Sequence, residues 1–218
     1  MQVETELASF TRHADDGERR EEWRFAGTSL RVGVLDSLDV QLLFDPLVLA
    51  RVEHADGGST RGAGAGELVT RAKWNLWGND GGRTALALLP FVQWPLAASD
   101  TREGRWRGGL IVPFAVELGR GWSAGAQSQV EWVEDPDGVD TELVHSLVVG
   151  RELGERLGVY LEFFTRVPVQ EPGDWQGMVD AGFTYALGPN VQLDLGCDVG
   201  VTGAAPDVHP FLGLTVRR

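Results

Sequence analysis

The sequence predicts an all-β chain folded as a closed antiparallel transmembrane β-barrel of about twelve strands, with short periplasmic turns and longer extracellular loops. Residues 1–218 would form one domain. Three observations carry this expectation. Segments of alternating apolar and polar character recur at intervals of roughly 12–20 residues, separated by Gly, Pro, Asp and Asn, while helical spacing is hard to find. The connections between segments alternate between tight and long. The eight tryptophans fall toward segment ends, where the edges of an apolar band would lie.

Taken in order, strands are expected at about 2–12, 21–34, 39–53, 66–78, 83–97, 105–118, 122–133, 141–152, 156–168, 175–187, 190–202 and 207–217. Even-to-odd connections are tight: Leu35 to Leu38, Gly78 to Gly82, Gly119 to Gly121, Leu153 to Glu155 and Gly188-Pro189-Asn190. Odd-to-even connections read as long and polar: His13 to Arg20, His54 to Ala65, Ala98 to Gly104, Glu134 to Asp140, Val169 to Asp174 and Gly203 to Pro206. That asymmetry requires an even strand count with both termini on the short-turn side.

Period two then assigns faces. In the closing hairpin Val191, Leu193, Leu195, Cys197, Val199 and Val201 alternate with Gln192, Asp194, Gly196, Asp198 and Gly200. From Trp122, the residues Trp122, Ala124, Ala126, Val130 and Trp132 oppose Ser123, Gly125, Gln127, Gln129 and Glu131. In a soluble sandwich or ligand-binding barrel the apolar face points into a core; in a membrane barrel it meets lipid. Alternation alone allows both. Tryptophan placement favours the membrane: Trp23, Trp94, Trp106, Trp132 and Trp175 lie near long-loop ends, and Trp74, Trp77 and Trp122 near short turns. Two such bands are interface girdles.

Charge and composition exclude several classes. With 32 acidic against 19 basic residues the net charge is −13, which argues against a nucleic-acid partner. The single cysteine, Cys197, allows no internal disulfide and no multi-cysteine metal site, and no cofactor is expected. The chain lacks an apolar run long enough for a transmembrane helix, but barrel strands need only about 9–11 residues. Its start, Met1 to Glu6, has no basic and apolar leader, so a signal peptide and N-terminal extension are expected to be absent from this chain.

The polar face should line a lumen. Its expected members include Glu67, Arg71, Lys73, Asn75, Glu117, Glu131, Glu162, Arg166, Asp180, Asp194 and Asp198, with Glu4, Glu6, Asp39 and Asp45. Acids exceed bases about three to one among them, so an open lumen would favour cations. The same charges paired across the interior would instead plug a narrow barrel. Arg71, Lys73 and Asn75 form a basic ladder, either a constriction with a transverse field or ordinary salt bridges to Glu67. Catalysis is not expected: His145 and Ser146 are adjacent and point to opposite faces, His209 has no neighbouring Ser, and G-x-S-x-G is absent. The acidic run Asp135 to Asp140 lacks the twelve-residue frame of a calcium loop. His13 and His54 are expected in loops without partners.

Several stretches resemble a known family: G-E-L-V-T-R-A-K-W-N-L-W-G-N-D-G-G at 66–82 with A-L-A-L-L-P-F-V-Q-W-P at 85–95, G-G-L-I-V-P-F-A-V-E-L at 108–118, and E-R-L-G-V-Y-L-E at 155–162. The closing stretch G-F-T-Y-A-L-G-P-N-V-Q-L-D-L-G from Gly182, followed by A-A-P-D-V-H-P-F-L-G-L-T-V from Ala204, completes the set. In this order they resemble bacterial outer-membrane β-barrel "transporters" assigned to a meta-pathway of phenol degradation. The resemblance implies location in the cell outer membrane, with lipid bilayer, lipopolysaccharide and the outer-membrane assembly machinery as partners. It also implies passage of a small-molecule solute, aromatic or otherwise hydrophobic, without energy coupling. Family members tend to end in an aromatic residue; here Arg218 stands in register with Pro210, Leu212, Leu214 and Val216. A closed barrel with a structural or surface-interaction role is the alternative.

Overall fold

The computed structural model describes residues 1–78, 81–96, 104–136 and 138–218. Asn79 and Asp80 of one expected turn, residues 97–103 of one long connection, and Asp137 lie outside the described residues. The strand segments are β1 (Gln2–Asp15), β2 (Glu18–Leu35), β3 (Leu38–Phe44), β4 (Leu47–Glu53), β5 (Ser59–Gly64), β6 (Leu68–Trp77) and β7 (Thr84–Trp94). The second half supplies β8 (Arg107–Gly119), β9 (Trp122–Asp135), β10 (Gly138–Glu152), β11 (Leu157–Pro168), β12 (Gln176–Gly188), β13 (Val191–Gly200) and β14 (Val208–Arg217). All the pairings are antiparallel. Segments β3 and β4 are halves of one stave against β2, and β5 and β6 are halves of the next. Strand β1 pairs with both β2 and β14, so the sheet closes as a ring of twelve staves.

Closure is completed by the termini: the Met1 ammonium donates to the Arg218 carbonyl at 3.1 Å, and the Arg218 N–H donates to the Met1 carbonyl at 2.9 Å. Staves about 4.8 Å apart and tilted about 40° enclose a backbone cylinder roughly 24 Å across. Ladder bonds run unbroken around the ring through β3 and β6, as a hydrocarbon surround demands, while β5 pairs only with β4 among the described residues.

The connections correct part of the sequence reading. The stretch at His13 to Arg20 is not a loop: the strands continue and a tight turn joins β1 to β2, while β9 runs on to Asp135 and β10 already begins at Gly138. Likewise β4 and β5 form a hairpin inside the expected loop from His54 to Ala65. Hairpins projecting past the tryptophans therefore create the asymmetry between the two ends. His13 and His54 are also partnered. His13 Nδ1 lies 3.0 Å from the Ala205 carbonyl, and His54 contacts Glu18 at 3.2 Å and Thr60 at 2.9 Å.

A line of irregularities creases four neighbouring staves at one level. Leu7 sits at a register shift in β1, opposite Ala26 in β2, which holds a left-handed φ of 56°. Residues Asp45 and Pro46 separate β3 from β4, and 65–67 separate β5 from β6. The last two breaks are stitched together by Asp45 N–H to the Glu67 carbonyl at 3.0 Å and Gly66 N–H to the Asp45 carbonyl at 2.7 Å. Gly66 is required here, because a Cβ would come within 2.5 Å of the Asp45 Cβ. Each extra residue reverses the parity of its stave. Inward residues on β2 run Arg31, Ser29, Gly27 below the crease and Arg24, Glu22, Arg20 above it.

Outside, all eight tryptophans are 39–53 % exposed. Trp94 packs on Trp106 with centroids 5.0 Å apart, and the Arg151 guanidinium lies 4.8 Å over Trp122. Leu143, Leu147, Leu161, Phe163, Phe183, Leu195 and Val199 are exposed between the two bands. A soluble sandwich would bury these areas, so the closed ring and its greasy exterior exclude that reading.

Candidate functional site

Inside the barrel the side chains divide into two halves. On the β6–β8 side Val69, Ala87, Leu89, Phe91 and Ile111 form a buried cluster with Leu43 packed against it. Strand β7 supplies three of the five because it is apolar on both faces. Gly109 makes room: a Cβ there would fall 2.2 Å from the Val130 carbonyl and 2.8 Å from the Phe91 ring.

Beside this cluster lies an ion-paired group. Glu131, 3 % exposed, accepts from Arg107 at 3.2 Å and Arg166 at 3.0 Å, and Arg166 also binds Glu142. Gln129 donates to Glu131 as well. The expected Glu131 and Arg166 thus meet in one network. Arg107 and Glu142 were not among the expected lumen residues, although both fall just inside expected strands, at 105–118 and 141–152.

The expected basic ladder on β6 points inward. Arg71 sits in the fields of Arg31, Glu131, Glu67 and Glu4, and its Nε has no partner among the described residues. Lys73 is in register with Asp39, which accepts from Gln41 at 2.7 Å. The Asn75 backbone N–H donates to the Ser37 carbonyl at 2.8 Å, and Glu67 lies at the crease. Glu117 is exposed at the short-turn rim, where its carbonyl accepts from Arg83.

Opposite, β11 to β14 carry an acidic row. Glu162 pairs with Asp180, Asp180 with Asp198, and Asp198 with His209, residue beside residue across four strands. His209 Nδ1 and Asp198 are 2.7 Å apart. Asp180 is 8 % exposed and takes the Tyr160 hydroxyl, but its Oδ1 has no partner among the described residues. Tyr160 lies flat over the wall because Gly182 and Gly196 are paired beneath it; a Cβ on either would meet its hydroxyl at 2.5 or 2.4 Å. Strand β12 is six staves from β6 in either direction. Followed through the register both ways, the Arg71 row reaches the two ends of β12. Equal height on β12 is therefore its middle, where Asp180 lies. Basic ladder and acidic row face each other across the lumen.

Between them, against the crease, is a cavity of about 300 Å³ lined by Glu4, Glu6, Arg24, Asp45, Asp194 and Phe211, among others. Asp194 accepts from Gln192 at 2.6 Å and Thr215 at 3.3 Å, and Arg24 bridges Glu22 at 2.8 Å and Asp45 at 3.3 Å. Arg20, Arg24, Arg31 and Arg107 also face inward, so acids exceed bases by less than the expected three to one. Among the described residues no group of three His, Cys, Asp or Glu could hold a metal ion. On the outer wall His145 and Ser146 do face opposite ways, yet His145 Nδ1 contacts Ser128 Oγ of the next strand at 3.1 Å. That pair satisfies one imidazole nitrogen at mid-wall.

Solved structures place this architecture. The NanC porin aligns with a TM-score of 0.65 at 7 % identity, covering 99 % of this chain and 100 % of that one. The KdgM porin, solved with disordered oligogalacturonate, aligns at 0.61 and 3 % identity over 100 % and 99 %. The transport unit of the Escherichia coli autotransporter AIDA-I aligns at 0.61 and 11 % identity over 100 % and 89 %. No curated protein matches by sequence. These likenesses show the fold, and the family model that matches residues 4–217 shows that the chain belongs to the family described as "Putative MetA-pathway of phenol degradation".

Proposed function

We propose that the protein is an outer-membrane channel passing small solutes, aromatic or otherwise hydrophobic compounds among them, by passive diffusion. The observation that carries this reading is the half-filled lumen. The β6–β8 side is packed shut by apolar side chains, while the side formed by β1 to β3 with β13 and β14 keeps the 300 Å³ cavity beside Phe211. A roughly 24 Å cylinder lined on one side only leaves a slot, not a wide pore. Carboxylates from Glu4, Glu6, Asp45 and Asp194 give that slot a negative potential, so cations should pass more readily than anions. The family's description supports the choice of aromatic solutes. No energy-coupling element is needed for such passage.

Planar-bilayer recording and vesicle flux test this together. Small, cation-selective conductance is expected, with neutral phenolic compounds entering faster than sugars of similar mass. A barrel that inserts but gives neither conductance nor flux would overturn the channel. The buried interior cluster and the network around Glu131 favour that second reading, a barrel plugged by its own side chains with a structural or surface role.

A further inference from the structure

Above the crease, the outward face of β2, β4 and β5 is built in rows. Register places Trp23, Leu49 and Ala63 side by side, and the next row toward the hairpin tips is Glu21, Arg51 and Arg61. Beyond it stand Arg19, Glu53 and Ser59. A groove of about 520 Å³ runs over the first two rows, lined by Glu21, Trp23, Leu49, Arg51, Arg61 and Ala63 with neighbouring backbone. Its floor is apolar and its upper wall cationic.

Arg51 and Arg61 are direct cross-strand partners, an arrangement of like charges that costs stability unless an anion lies between them. Neighbouring carboxylates do not resolve it. Glu21 is held by Arg19 at 2.6 Å, and Glu53 is shared between Arg51 at 2.6 Å and Arg19 at 4.0 Å. The two carboxylates thus serve Arg19 and Arg51, and Arg61 has no ion pair among the described residues. Arg51 Nε is buried without a hydrogen-bond partner. In a chain of net charge −13, an arginine pair with only one member ion-paired, directly above a tryptophan, has a specific geometry. Acyl chains would lie along Trp23, Leu49 and Leu47, with an anionic headgroup at the height of the two arginines.

We propose that this groove binds the phosphorylated headgroup of an outer-leaflet glycolipid, the lipid A part of lipopolysaccharide. The proposal rests on the outer-membrane reading above, and specifically on the long-hairpin end facing outward. Guanidinium groups chelate phosphate oxygens through paired charge-assisted hydrogen bonds, and the groove volume suits a phosphorylated sugar. Binding here would clamp the β4–β5 hairpin, where the ring of staves is interrupted.

Native mass spectrometry of the detergent-solubilised barrel tests the proposal. Bisphosphorylated lipid A, its dephosphorylated counterpart and inorganic phosphate are titrated against the wild type, the double variant Arg51→Gln/Arg61→Gln, and a short-turn control, Arg156→Gln. Bisphosphorylated lipid A should bind the wild type and the control equally, and the double variant roughly tenfold or more weakly. The dephosphorylated lipid should bind all three at the weaker level. Equal binding by the double variant, equal binding of the dephosphorylated lipid, or tight binding of inorganic phosphate alone would each overturn it. Heat-modifiable mobility of the double variant keeps misfolding apart from lost binding. Because the readout is lipid occupancy, its failure leaves the channel untouched, and a channel without conductance leaves it untouched in turn.

Discussion

Glu131 is the side chain on which the interior most depends. It is buried, and two guanidinium groups from β8 and β11 converge on it. Removing one partner of a buried pair leaves the other charge uncompensated, which costs more than the pair itself contributes. Glu131→Ala should therefore destabilise the folded barrel by about 3 kcal/mol, read as a lower urea midpoint for unfolding from lipid vesicles. A midpoint unchanged from wild type would show that water or other carboxylates neutralise Arg107 and Arg166. The inward direction of Glu131 and Arg166 was legible from period two alone. Their meeting was not, because the sequence does not say that β9 lies next to the end of β8 and two strands from β11 at that height.

At the scale of the strand, alternation reads faces faithfully wherever the ladder is regular. Strands β9 and β13 carry their apolar sets outward as expected, including Cys197. Ten residues separate Trp122 from Trp132, which at about 3.3 Å per residue and a 40° tilt rise roughly 25 Å, the height of an apolar membrane band. Leu147 is paired with Ala126 near the middle of that span and is 57 % exposed. Leu147→Arg should cost about 2–4 kcal/mol in bilayer folding measurements, whereas the same change at Leu187, near a short turn, should cost close to nothing. Equal effects at both positions would mean that the outer wall does not sit in hydrocarbon as drawn. Alternation fails at the crease, where one extra residue per stave flips the faces of β1, β2, β4 and β5. Arg20, Glu22 and Arg24 turn inward there, and Arg51 and Arg61 turn outward. A bulge leaves no compositional mark strong enough to locate it in advance. The nearest hints were Pro46, Gly27 and Gly66.

For the whole molecule, the decisive quantity is which solvent the apolar exterior meets. A closed ring with exposed tryptophan bands and exposed leucines between them should extract only with detergent. It should also migrate differently on gels before and after heating, because the ring unfolds only when boiled. Monodisperse protein in detergent-free buffer would contradict membrane placement and, with it, the channel. The half-filled lumen also belongs to this scale. Twelve staves enclose too much space for side chains to fill evenly, so the apolar inner face of β7 closes one half and leaves charged residues around the other.

Residue order was enough to give the all-β fold class and a barrel of twelve staves, with tryptophans toward the strand ends and alternate carboxylates on one face. Each of these follows from local period and turn chemistry, which a strand carries in its own residues. Tertiary structure alone decided the rest. The crease, the Glu131 network, the confrontation of Arg71 with Asp180 and the Arg51–Arg61 pair all depend on register around a closed ring. Register is a property of strand neighbours far apart in the chain, and a shift of one residue exchanges inside for outside.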